Sequence, residues 1–172
     1  MKPMYLLAGC LCLYLCAFAI MPAQAITAKA LTITLDPAGN AQVDYQYSLS
    51  FTEQIAVFAT IADPSAELRS ALTGSLGSDV TVEKADTSSA EVYIPSFASV
   101  SSSGGGAATM TTPAFSFAHA QDAIRQYWWS PLISADLSPH VTTISFPDGY
   151  QATFNDRIAI PQVSHQLAAG SA

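Results

Sequence analysis

Period-two alternation of apolar and polar positions dominates this chain and predicts strands. Leu31, Ile33 and Leu35 alternate with Thr32 and Thr34, the pattern of a strand with one buried face. Asp36-Pro37-Ala38-Gly39-Asn40 then reads as a turn, because proline presets φ while glycine and asparagine tolerate positive φ. Val43, Tyr45, Tyr47, Leu49 and Phe51 share the next face, opposite Asp44, Gln46, Ser48 and Ser50. These segments predict a β-hairpin. A second hairpin is expected from Val80 and Val82, the turn Asp86-Thr87-Ser88-Ser89, and Val92 and Ile94. A third is expected from 141–146, the turn Pro147-Asp148-Gly149, and 150–154. Ile158 and Ile160 suggest a last strand before Pro161. Residues 31–37 and 142–148 look alike, which reads as shared strand-and-turn chemistry rather than a repeat.

Helical periods interrupt the strands. Ile55, Phe58 and Ala62 fit a short helix, although 55–61 also fits a buried strand, and periodicity does not decide between them. Asp63-Pro64 is a helix start, Leu68, Leu72 and Leu76 form a stripe four residues apart, and Gly77 suits the end. Ser116 can cap a helix running to about Trp129, with Phe117, Ala120, Ile124, Tyr127 and Trp128 facing the core. Ser130-Pro131 ends it. Residues 99–112 include Ser101-Ser102-Ser103-Gly104-Gly105-Gly106 and predict a flexible surface loop. Residues 162–172 predict a loose tail. The order implies an α+β fold: a mainly antiparallel sheet built from hairpins, with two or three helices packed on one face, in a single globular domain over 26–172.

The N-terminus has a different pattern. Lys2 is the one charge before Lys29, and 4–21 is an uncharged, apolar run. Pro22 breaks it, and Ala23-Gln24-Ala25 supplies a small-x-small site. This reads as a signal peptide over 1–25, cleaved after Ala25. Leu7-Ala8-Gly9-Cys10 resembles a lipoprotein cleavage box, but Cys10 comes too early for an apolar segment to precede it. The remaining alternative is retention of residues 4–21 as an anchor, at the short end of the roughly 17–25 residues needed to span a bilayer.

Composition narrows the chemistry. All three cysteines (Cys10, Cys12 and Cys16) lie in the leader, so the exported part has no disulfide, thiol nucleophile or cysteine-based metal site. Losing Lys2 takes the formal net charge from −7 to −8. With no basic cluster, nucleic acid and anionic membrane surfaces are disfavoured partners. His119, His140 and His165 lack the spacing of a local metal pair, and there is no nucleophile elbow, phosphate loop or dinucleotide fingerprint. No metal, cofactor or catalytic residue is therefore expected. The alternative is a cofactor-free extracytoplasmic hydrolase whose site is assembled from distant Ser, His and Asp residues.

One constellation suggests a partner surface. His119, Asp122, Gln126 and Trp129 fall on the polar face of the 116–129 helix, and an aromatic there can mark recognition. The structural alternative has the helix ending early, with Trp129 tucked under Ser130-Pro131. The expectation is an exported, non-catalytic binding or structural domain, secreted or extracytoplasmic, at or outside the cell envelope. Its partner would be an unknown protein, peptide or glycan, and it would be a membrane-tethered subunit only if the N-terminal helix is retained.

Overall fold

The computed structural model describes residues 26–49, 65–66, 69–70, 72–73, 79–103, 107–124 and 135–167. Within them the strands are β1 (Ile26–Leu35), β2 (Ala41–Ser48), β3 (Thr81–Ala85), β4 (Ser89–Ile94), β5 (Ser99–Ser103), β6 (Ala107–Thr111) and β7 (Phe115–Ser116). The helix α1 (Phe117–Ile124) follows, then β8 (Ala135–Asp136), β9 (Val141–Ser145), β10 (Gln151–Asn155), β11 (Ala159–Ile160) and β12 (Ser164–Gln166). The described chain is mainly β. The expected leader (1–25), the ambiguous 52–62 segment, and Leu68 and Leu76 lie outside the described residues. Residues 65–66, 69–70 and 72–73 are helical, and Leu72 packs against the core.

All three expected hairpins form: β1–β2, β3–β4 and β9–β10 are antiparallel. They join one sheet in the order β10-β9-β1-β2-β4-β3, with β8 also on β1. The sheet is mixed, because β1 runs parallel to both β9 and β8. Leu31 lies opposite Thr142, and Ile33 opposite Ile144. The two look-alike hairpins are therefore neighbours, and parallel pairing brings their turns to the same end of the sheet. A three-stranded antiparallel sheet, β12-β6-β5, and a two-stranded ladder, β11-β7, complete the β structure.

Two expectations are corrected. Residues 99–103 and 107–111 are strands rather than flexible loop, because β5 and β6 pair through five consecutive residue pairs, from Ser99↔Thr111 to Ser103↔Ala107; Gly104, Gly105 and Gly106 lie outside the described residues. Nor is 162–172 loose throughout, because β12 pairs with β6 and Leu167 is buried. Burial explains both. Ala108 and Met110 on β6, together with Leu167, join the cluster that includes Leu31, Ile33, Leu35, Val92, Ile94, Ile144 and Phe146. The apolar side chains of the small sheet thus hold its serine-rich strand in place.

The two turns share one geometry. Gly39 N–H donates to Asp36 O and Gly149 N–H to Phe146 O, each at 3.0 Å. Their φ angles are 87° and 88°, as expected for a type I turn closed by a left-handed glycine bulge. In the first turn Asp36 Oδ1 accepts the Ala38 and Asn40 amides, each at 2.9 Å. The Asn40 side chain and these amides hold the Asp36 carboxyl below its ordinary value, against a smaller opposing effect of burial.

Candidate functional site

Each turn grips the small sheet. At the first, Ala98 N–H donates to Gly39 O at 2.8 Å, just ahead of β5. At the second, His165 Nε2 on β12 lies 2.7 Å from Asp148 Oδ2, with their side chains 22% and 9% exposed. The Tyr150 ring stacks on the His165 imidazole (4.1 Å, 13°), and Phe146 meets it edge-on at 5.2 Å. The outer strands of the small sheet are thus tied to neighbouring turns of the large one.

The ladder on either side of β6 shows what β5 leaves free. Thr112 N–H donates to Val163 O, and Leu167 N–H donates to Ala108 O. Alternation then directs the even-numbered residues of β6 toward β12 and the odd-numbered ones toward β5. Opposite the odd ones stand Ser99, Ser101 and Ser103. The Ser99 and Ser101 hydroxyls also donate to Thr111 O and Thr109 O, both at 3.3 Å. Val100 and Ser102 therefore turn their backbone N–H and C=O away from β6. No strand lies beyond them among the described residues, and both side chains are exposed.

This edge carries no charge, no proline and no bulge. The β3 edge of the large sheet differs: it bears exposed Glu83 and Lys84 and a register irregularity between Val82 and Lys84. Charges and bulges are how proteins blunt edges against strand pairing. By that measure β3 is guarded and β5 is open.

The expected helical surface is only partly described. His119 and Asp122 lie on α1, and Asp122 is exposed, whereas Gln126 and Trp129 lie outside the described residues. Ser116 caps the helix as expected, accepting the Ala118 amide at 3.3 Å. Gln121 Nε2 reaches Asp136 Oδ1 at 3.3 Å and ties α1 to β8.

Sequence reasoning missed the Asp148–His165 pair, having placed His165 in the tail. Val163, His165 and Leu167 are partly or fully buried, while Ser164 and Gln166 are exposed, so the tail carried a readable strand alternation. A second imidazole–carboxylate pair, His140 with Asp156 at 2.9 Å, is 66% and 76% exposed. Neither histidine hydrogen-bonds a hydroxyl among the described residues, and no group of three or more metal-ligating side chains is gathered there. No described helix is long and apolar enough to cross a membrane. Comparison with protein-family models, curated proteins and solved structures gave no match.

Proposed function

We propose that this chain is an exported, non-catalytic binding module, acting at or outside the cell envelope, that captures a protein partner by strand addition at β5. The observation that carries the reading is the open β5 edge, where Val100 and Ser102 present backbone donors and acceptors outward. An added strand would satisfy them through main-chain hydrogen bonds. That chemistry favours a protein or peptide over a glycan. Export rests on the leader-like N-terminus, with membrane tethering through residues 4–21 as the alternative. Helices over one face of the large sheet belong to the same reading, supported by the contacts of Leu72 and Phe117 with the core.

Two measurements test it. The intact mass of the native protein, from medium and from membranes, should begin at Ile26 in the soluble fraction. A membrane-bound mass retaining residues 1–25 would favour the tethered subunit. Ser102→Pro removes an outward N–H but spares the backbone groups of Ser99, Ser101 and Ser103 that face β6, so its circular dichroism should match that of the parent. Its binding to isolated envelopes should fall about ten-fold or more, the scale of one well-made interaction. Undiminished binding would exclude strand capture.

A second reading has one observation in its favour. Asp148 and His165 are an imidazole–carboxylate pair of the kind that orients the base of a hydrolase triad. Hydrolysis of a simple ester that His165→Gln abolishes would support this reading over the first.

A further inference from the structure

The ladder β7–β11 borders an open groove of about 660 Å³ on the side of β10. Phe115, Phe154, Ile160 and Pro161 supply apolar wall, and Ser116 and Arg157 are its described polar residues. The wall is firmly built. Ile160 is 1% exposed. The Phe115 ring packs edge-on against Phe97 at 6.4 Å and Phe117 at 5.7 Å. Ser116 is already committed, since its hydroxyl accepts the Ala118 amide and donates to Ile158 O.

Arg157 is the one charged residue that lines the groove among the described residues. The protein has 13 acids against 6 cations, and no carboxylate lines the groove among the described residues. Lys84 is held by Asp86 at 2.9 Å and Glu91 at 3.8 Å. The neighbouring Asp156 directs its carboxylate to His140. Arg157 itself makes no ion pair among the described residues. A guanidinium beside an apolar groove, with no protein carboxylate on it, is complementary to an anion attached to an apolar body. Its planar fork matches a carboxylate in two-point contact. The volume falls within the roughly 300–1,000 Å³ range of small-molecule sites.

From this we infer that the groove binds an apolar monocarboxylate: the hydrocarbon lies along Phe115, Phe154 and Pro161, over the buried Ile160, and the carboxylate sits on Arg157. This site is separate from β5 and does not depend on strand capture. An open groove buries one side of the ligand, so the affinity should be modest, with a Kd of about 0.1–1 mM.

Octanoate is the probe, titrated into isotope-labelled protein and followed by amide shifts. Saturable shifts are expected in 114–116 and 154–161. Arg157→Gln should weaken binding about ten-fold, with Arg157→Lys in between. Arg157 is exposed, so both variants should fold normally. Octylammonium and octyl glucoside test the apolar body alone and should bind far more weakly, as should acetate, which tests the anion alone. Ala159→Leu narrows the groove without changing charge and should weaken octanoate more than acetate. Equal affinity for octanoate and octylammonium, equal affinity for octanoate and acetate, or undiminished binding by Arg157→Gln would each overturn the assignment.

Discussion

Gly39 and Gly149 occupy the same position in two turns of the same geometry, yet alanine should be far more costly at one than at the other. Both have φ near +90°, where an L-residue costs about 1–2 kcal/mol. Reduced freedom of the unfolded chain returns about 0.4–1 kcal/mol, so Gly149→Ala should lose about 1 kcal/mol. Nothing lies within 4 Å of a Cβ built there. At Gly39 the same atom would lie 2.3 Å from Ala98 O and 3.3 Å from Val100 Cγ2. The obstacle is backbone, which cannot rotate away. Either the turn or the Ala98 segment must move, and the hydrogen bond from Ala98 N–H to Gly39 O is strained with it. Overpacking of this kind costs about 1–3 kcal/mol, and a disrupted buried hydrogen bond about 1–3 more. Gly39→Ala should therefore lose about 4 kcal/mol or more. Urea unfolding followed by circular dichroism measures both. At about 3–4 °C per kcal/mol, melting should fall by a few degrees for Gly149→Ala and by more than about 12 °C for Gly39→Ala. Equal losses would refute the claim that the first turn grips the small sheet.

Two further predictions test the remaining contacts. A double-mutant cycle on Asp148→Asn and His165→Gln should show coupling of about 1–2 kcal/mol, since a charged, largely buried partner strengthens a hydrogen bond; additive losses would mean that the pair does not hold β12. Burial first, then nearby acidic groups, raises the Tyr45 and Tyr47 phenols above their ordinary value of 10.0. Folding then favours their protonated forms, so their contribution is intact below pH 10.0 and falls as the unfolded chain ionises above it. Tyr45→Phe should flatten that alkaline decline, while losing about 1 kcal/mol at neutral pH for the hydrogen bond to Leu137 O; an unchanged alkaline slope would contradict the burial argument.

The hairpins were legible because turn chemistry and alternation agree within a few residues. Asp36-Pro37-Ala38-Gly39 and Phe146-Pro147-Asp148-Gly149 each specify a turn, and the flanking Leu31, Ile33, Leu35 and Ile144 are buried. The parallel pairing of β1 with β9 was not legible, because it joins segments more than a hundred residues apart and no local pattern encodes it. The likeness of residues 31–37 and 142–148 was its nearest trace. β5 was missed for a compositional reason. Serine and glycine runs read as linker, whereas the strand is held by Ala108 and Met110 on its neighbour and by its own hydroxyls on β6 carbonyls. The open edge followed from that miss, since an edge cannot be read before its strand is known. Helix capping at Ser116 was legible from one residue, and Asp122 is exposed as expected, but a surface shared with Gln126 and Trp129 lies outside the described residues.

The most direct test of strand capture is amide hydrogen exchange across 99–103, in the free protein and in protein bound to isolated envelopes. In the free protein the outward amides of Val100 and Ser102 should exchange much faster than those of Ser99 and Ser101, which face β6. Binding should slow Val100 and Ser102 selectively. Binding that protects another surface and leaves Val100 and Ser102 as fast as before would contradict the account.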